Sequence, residues 1–429
     1  MPSDVRKRNY VIGIIREVYE SYGFEPLETP AVENLETLTG KYGEEGNQLM
    51  YRILKRGEKL DVAGGEKGLA DLALRYDLTV PLARVVANYR NELPRFFKRY
   101  QIQPVWRADR PARGRYREFY QCDVDAIGSS SMIVEAELIS AVSEILERLG
   151  FEDFVINLNH RQILRGILEA VDIEEEKQTD ALIALDKLDK IGQDGVLKEF
   201  AQREIVEDAG VKLLDLFSNL ESEANSNTLL RLAEFMGASD AGKEGLNSLS
   251  QILELTDLEN LKINASLARG LSYYTGAIFE INVPDLAGSL GGGGRYDTLV
   301  GMFGKEQIPA CGFSLGLERI IVVMDERGMF PPELEKSAAD VLMTIWNEES
   351  AGESLKLAKE LRAEGLRVLV YPEADKLGKQ FKYASQIGAR FVCVIGDEEL
   401  AAGNVTLKNM ETGAQETVAR EEIAGKIKS

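Results

Sequence analysis

The stretch Arg107-Ala-Asp-Arg-Pro-Ala-Arg-Gly-Arg115-Tyr-Arg-Glu-Phe119-Tyr-Gln121-Cys-Asp-Val-Asp125 decides the reading of this 429-residue chain. Strand-like runs across residues 99–127 flank a polar segment at 108–114, the pattern of an antiparallel hairpin with a long loop. Tyr116, Phe119 and Tyr120 place aromatic rings on both faces of the second run, so one ring must lie outside a one-sided core. Arginine offers paired, planar, permanently charged donors that match phosphate oxygens. Arg107 and Arg115 are therefore candidate anion ligands, and Phe119 is a candidate platform for a planar base. Taken singly, each arginine fits a surface or structural ion pair better, and the ring fits an ordinary core better.

Context outside the hairpin alters that balance. Gly312-Phe-Ser-Leu-Gly-Leu-Glu-Arg319 is an apolar, glycine-containing segment, and its reading is a buried helix over 313–325. A buried Arg319 requires an anion, from the protein or from a ligand. Leu267-Ala-Arg269-Gly-Leu-Ser-Tyr273-Tyr274-Thr-Gly-Ala-Ile-Phe-Glu280 sets two tyrosines beside an arginine and glycines, which suits a polar pocket for a planar substrate or a strand with routine aromatics. The glycines at 291–294, ahead of Arg295-Tyr296-Asp297, lack both the Lys-Ser/Thr ending of a P-loop and the strand–helix setting of a dinucleotide fingerprint. They are expected to let the backbone pass close to a ligand or another strand. Asp77 and Thr79 fall at a strand–helix junction, with the strand ending near Asp77 and Thr79 at the helix N-cap.

Composition sets the outer limits. Hydrophobic content of 44% and charged content of 28% are globular values. No apolar run approaches the roughly 18 residues of a membrane span, so no membrane partner is expected. Net charge is −20, against a uniformly basic nucleic-acid binder, although residues 95–117 are densely basic and allow a local groove. Cys122, Cys311 and Cys393 are scattered, with neither disulfide nor metal spacing, so a reducing cytoplasm and buried small-residue roles are expected. The single histidine, His160, has no His or Cys companions and is assigned a structural role; no protein metal site is expected. The absence of a Gly-x-Ser-x-Gly elbow argues against a hydrolase.

The fold class expected is α/β: an α+β catalytic domain over 1–325, a linker at 326–339 and a small α/β domain over 340–429. Residues 5–22 carry a helical stripe of Val11, Ile14, Ile15, Val18 and Tyr22, closed by Gly23. Pro26 and Pro30 confine 24–32 to an edge strand. Residues 133–149 read as a helix, and the acidic, leucine-rich region at about 172–260 as a helical insertion. Beyond the linker the order is strand 341–345, helix 350–364, strand 366–371, helix 377–387, strand 391–395, strand 404–410.

Together these segments resemble the histidyl-tRNA synthetase family over nearly the whole chain. Residues 107–125 are similar to motif 2 of class II aminoacyl-tRNA synthetases, 312–319 to motif 3, the surroundings of Pro30 to the interfacial motif 1, and 267–280 to the histidine-specific motif. The resemblance implies an antiparallel sheet flanked by helices, an anticodon-binding domain at 340–429, and ATP-dependent ligation of L-histidine to its tRNA through histidyl-adenylate. ATP would serve as substrate with Mg2+. Partners would be histidine tRNA, through its acceptor end and anticodon, and a second copy in a homodimer.

It also implies roles. Arg107 would grip the α-phosphate and the amino-acid carboxylate. Phe119 would stack on adenine, with Arg319 on the other face reaching the γ-phosphate and Arg115 on the outer phosphates. Arg269 would act as the cation at the α-phosphate. Asp77, Thr79 and Gln121 would hold the ammonium group, while Asp125, Tyr274 and Tyr296, with Tyr273 beside them, would form the imidazole pocket.

The chain departs from the family in several places. Ser272 stands where Asp is usual, Asp125 where many bacterial members have Glu, and Arg110-Pro-Ala112-Arg113 lacks a usual Gln. The sequence also starts without the customary Gly-Thr-x-Asp segment. The alternative is a non-catalytic paralogue that senses histidine or tRNA. Such relatives tend to lose the motif arginines or the last domain, and this chain has both.

Overall fold

The protein, seen in a computed structural model, is described at residues 1–269, 273–304, 306–334 and 339–428. Ser272 lies outside the described residues. The chain divides into two units, Met1–Met329 and Phe330–Ser429.

In the first unit, α1 (Pro2–Ser21) begins with Pro2 in its first turn and buries Val11, Ile15, Val18 and Tyr19. Tyr19 takes the inward place expected of Tyr22, and Gly23 ends the helix at φ +76°. The two-residue β1 (Glu25–Pro26) follows. Next come β2 (Val32–Asn34), α2 (Leu35–Leu38), α3 (Gly43–Leu49), β3 (Arg52–Leu54), α4 (Gly65–Leu69) and β4 (Ala70–Leu74), whose strands make a three-stranded sheet in the order β2-β4-β3. β4 stops at Leu74, not near Asp77. Asp77 lies in the link to α5 (Thr79–Asn88), where its Oδ1 accepts from the Val80 amide at 3.1 Å. The helix cap is therefore Asp77; Thr79 is the first helical residue and makes no capping bond.

β5 (Phe97–Trp106) and β6 (Glu118–Ile127) form the expected hairpin, paired antiparallel from Phe97↔Ile127 to Trp106↔Glu118. After α6 (Ile133–Arg148), Gly150 turns the chain at φ +89° into β7 (Val155–His160). The helical region begins earlier than expected, with α7 (Arg161–Ala170), and continues through α8 (Glu175–Leu185), α9 (Leu188–Gln202), α10 (Glu207–Leu220), α11 (Asn225–Met236) and α12 (Asp240–Thr256). α12 packs on α6 and α7, so part of this region belongs to the layer covering the sheet. It also serves as the crossover between β7 and the parallel β8 (Leu261–Ile263).

β9 (Ala277–Asn282), β10 (Gly291–Arg295) and β11 (Ala310–Gly316) complete an eight-stranded sheet ordered β1-β5-β6-β11-β10-β9-β7-β8. It is antiparallel through the middle and parallel only at its two edge pairs. The helix expected over 313–325 is shorter: α13 spans Leu317–Glu326, and the preceding apolar run is the central strand β11, flanked by β6 and β10. Small residues at Gly312, Ser314 and Gly316 alternate with Phe313 and Leu315, a short pattern that merges with the apolar stripe of the helix behind it.

The second unit holds β12 (Val341–Met343), α14 (Ala351–Ala363), β13 (Val368–Val370), α15 (Leu377–Ile387), β14 (Phe391–Val394), α16 (Asp397–Ala402), β15 (Asn404–Asn409), β16 (Gln415–Ala419) and α17 (Ile423–Lys428). Its five-stranded sheet, β13-β12-β14-β15-β16, has β12 parallel to both neighbours. Alternate residues of β12 feed two cores: Val341 and Met343 pack with Leu357 and Leu361, while Leu342 packs with Ala384 and Val392. The sequence reading had none of α16, β16 and α17. Among the described residues, no helix is long and apolar enough to cross a membrane.

Candidate active site

One cavity of about 490 Å³ opens over the middle of the large sheet. The hairpin brings Arg107, Arg115, Phe119, Gln121 and Asp125 to it. The link before α5 adds Asp77 and Thr79, the segment before β9 adds Arg269, Tyr273 and Tyr274, and Tyr296 and Arg319 follow β10 and β11. The residues proposed from sequence to bind ATP and histidine thus all line one space.

At one end the guanidinium groups gather. Arg107 donates from Nε to the Tyr76 carbonyl at 3.1 Å, and its Cζ lies 4.3 Å from the Tyr76 ring centroid and 5.2 Å from that of Phe119. Cation–π contact with two rings holds its plane while leaving the outer nitrogens to face the cavity. Arg269 is held by Glu280 at 2.6 Å and by Ser289 Oγ at 3.0 Å. Arg319 sits in the first turn of α13 and donates to the Ser289 carbonyl at 2.5 Å. Among the described residues it has no carboxylate ion pair. Burial lowers its pKa, as do the neighbouring charges of Arg115, Arg269 and Arg107; only Glu280 opposes them. The arginine stacked at Phe119 is Arg107, whereas the stem of Arg319 lies beneath Gly114, where an added Cβ would stand 3.2 Å from it.

At the other end the groups are acids and phenols. Asp77 accepts from the Tyr42 hydroxyl at 2.9 Å as well as from Val80. Burial raises its pKa, which these two bonds partly offset. Asp125 accepts from the Tyr296 hydroxyl, and its Oδ2 stands 2.8 Å from Nη2 of the fully buried Arg99, a charge contact without good hydrogen-bond alignment. Burial raises the Asp125 pKa too, against the pull of Arg99 and Tyr296. The rings of Tyr273 and Tyr274 meet at 4.7 Å, and Tyr273 lies edge-on to Tyr296 at 6.3 Å. Burial pushes all three phenols above their usual range, so they remain neutral donors.

Glycines make the room. A Cβ on Gly292 would collide with the Arg269 guanidinium, one on Gly294 would meet the Tyr274 ring at 3.1 Å, and one on Gly312 would occupy the place of the Asp125 carboxylate. The glycines at 291–294 thus form a strand under close approach, as expected.

Sequence reasoning missed Tyr42, Asp123, Ser289 and Ser314, all lining the cavity. The signal for Asp123 was present: Phe119, Gln121, Asp123 and Asp125 alternate along β6 and share its cavity face. Tyr42 lies in a loop and had no local signature. His160 has the structural role expected: Nδ1 accepts from the Gln162 amide at 3.1 Å and caps α7, and burial lowers its pKa to about 4. The three cysteines are buried and unpaired.

Residues 1–320 match the family model "Histidyl-tRNA synthetase" and residues 340–429 the model "Anticodon binding domain". A "Histidine--tRNA ligase" of Porphyromonas gingivalis is 45% identical over 97% of this chain and 94% of its own length. One from Gloeobacter violaceus is 40% identical over 100% and 97%. The crystal structure of histidyl-tRNA synthetase from a Nostoc species superposes with a TM-score of 0.83 at 33% identity, covering 100% of this chain and 96% of that one. A Bacillus halodurans protein titled as an ATP phosphoribosyltransferase regulatory subunit/histidyl-tRNA synthetase superposes at 0.73, but at 21% identity it shows the fold alone.

Proposed function

The chain belongs to the histidyl-tRNA synthetase family and charges tRNA with histidine as a class II aminoacyl-tRNA synthetase, and from that premise we propose that the cavity makes histidyl-adenylate from L-histidine and ATP. The observation that carries this reading is the polarity of the site. Four guanidinium groups crowd one end without enough protein carboxylate to match them, and buried acids and neutral phenols line the other.

In the adenylation step, a histidine carboxylate oxygen attacks the α-phosphorus and pyrophosphate leaves. Negative charge builds at the phosphoryl oxygens. Arg107, held by Tyr76 and Phe119, and Arg269, held by Glu280 and Ser289, oppose it without reorganising. Positioning supplies much of the rate, because no protein nucleophile is needed. Phe119 and Arg319 embrace the adenine, and Arg319 with Arg115 takes the outer phosphates. Mg2+ bound to ATP would supply further charge neutralisation at the triphosphate beside Arg115 and Arg319; among the described residues no group of three or more His, Cys, Asp or Glu is placed to hold a metal.

Asp77, Thr79 and Gln121 bind the ammonium group, and Asp125, Tyr274 and Tyr296 bind the imidazole, with Tyr273 packed behind. An amino acid lacking the ring N–H leaves these buried groups unpaired, which is the strongest basis for rejecting it. Residues 340–429 bind the anticodon. The protein acts as a cytoplasmic homodimer, a reading supported by the short edge strand β1 with Pro26 and by the free thiols.

Pyrophosphate exchange into ATP, run with each of the twenty amino acids and Mg2+, tests the reading. Exchange with histidine alone is expected. No exchange with histidine at saturation would favour the sensing paralogue.

A further inference from the structure

Three buried acceptors on the cavity face of β6 have no hydrogen-bond partner, namely Gln121 Oε1, Asp123 Oδ1 and Asp125 Oδ2, and of these only Asp125 Oδ2 stands against a guanidinium, that of Arg99. Gln121 spends its amide nitrogen on Ser314 Oγ at 2.8 Å, which turns its oxygen away from that contact. Asp123 is only 2% exposed. A further acceptor at this level is Asp77, across the cavity, whose Oδ1 takes both of its protein bonds while the charge on its carboxylate is felt at Asp123. The other acid, Asp125, already has Arg99 and Tyr296. Buried acceptors left open cost free energy unless something supplies donors, and a primary ammonium presents three donors from one compact charge.

Resting on the reading of the site as a histidine pocket, we propose that Asp123 is a substrate-binding and specificity residue whose carboxylate joins Asp77, Thr79 and Gln121 around the amino acid's α-ammonium and takes one of its N–H groups. Along β6 this places the ammonium one pleat from Asp125 and leaves the ring to Asp125, Tyr274 and Tyr296. It also explains why a second acid lies so close to Asp125 in a buried site: the ligand brings the compensating charge.

A linked proton follows. In the empty site burial raises Asp123 to about 7; Arg99 on β5 opposes this, Asp125 and Asp77 add to it, and the Ser314 hydroxyl on β11 lowers it. Tyr19 on α1 and Tyr274 also face this charge, as neutral phenols. A protonated carboxyl must ionise to receive an ammonium. Histidine therefore displaces protons from the Asp123–Asp125 pair near neutral pH and fewer as pH rises, and its affinity increases with pH until the pair is ionised.

Calorimetric titration in phosphate and in Tris, whose ionisation heats differ, reads both binding and proton release. The probes are L-histidine, L-histidinol and 3-(imidazol-4-yl)propionate, which keeps the ring and carboxylate but lacks the ammonium. Asp123→Asn is expected to weaken histidine and histidinol about ten- to hundredfold, to lower the proton release that accompanies their binding, and to leave propionate binding unchanged. An equal loss for all three probes would make the role structural and overturn the proposal. Should Asp123→Asn not fold, Asp123→Ser is read in the same way: a loss confined to histidine and histidinol supports the proposal, and an equal loss for all three probes overturns it. Failure of the unmodified protein to bind histidine at all would instead sink the histidine-pocket reading beneath it.

Discussion

The two ends of the cavity carry opposite charges held by different means. At the phosphate end, Arg269 has Glu280, but among the described residues Arg319 bonds a backbone carbonyl, and it feels three other guanidinium groups against Glu280. At the amino-acid end, the acids are deeper, and the charge that steadies them is internal: the fully buried Arg99 against Asp125. The first end stays partly open to solvent, so its cations tolerate having few counterions. The second is closed, so its acids must be paired, protonated or satisfied by a ligand. On the proposed reading substrate completes both ends, and what sets the inner one apart is that its ion pair, Arg99–Asp125, is fully buried while Arg269–Glu280 is partly exposed.

That contrast can be broken most readily at its two arginines. Arg99→Met strands Asp125 and Asp123 without a buried cation and is expected to cost about 3–5 kcal/mol of stability in denaturant titration. Arg319→Met, which breaks no ion pair, should change stability by less than about 1 kcal/mol while ATP binding weakens. Equal losses in the two variants would erase the distinction drawn between the ends.

Effects on catalysis come next in size. Arg269→Ala should lower the turnover of pyrophosphate exchange about 10²–10³-fold with a smaller change in the KM for histidine; unchanged turnover removes this arginine from the step. Phe119→Ala should raise the KM for ATP about tenfold, the worth of one base–aromatic stack, and leave the KM for histidine alone. A histidine effect of the same size would mean that the ring organises the whole cavity.

Much of this site was legible in the sequence because its residues lie on a regular strand. Once 118–127 is extended, Phe119, Gln121 and Asp125 must share a face, and Asp123 must join them by the same period of two. Asp123 escaped notice because an acid in that pattern looks like any solvated strand residue until burial is known. Residues 313–316 were misread as helix because the cavity face of β11 carries only the small Gly312, Ser314 and Gly316, which weaken the contrast with Phe313 and Leu315. Asp77, not Thr79, caps α5 because the strand before it ends at Leu74, a boundary that pairing with β2 and β3 sets. Tyr42 reaches Asp77 through a loop whose path no local pattern encodes. α16 and α17 are six-residue helices, too short to display a periodic face.

The central claim is the polarity of the cavity, and a crystal structure with a sulfamoyl analogue of histidyl-adenylate tests it most directly. The expected result places the sulfamoyl group within hydrogen-bond distance of Arg107 and Arg269, adenine on Phe119, and the imidazole against Asp125 and Tyr296. An analogue bound in the reverse sense, or outside this cavity, would contradict it.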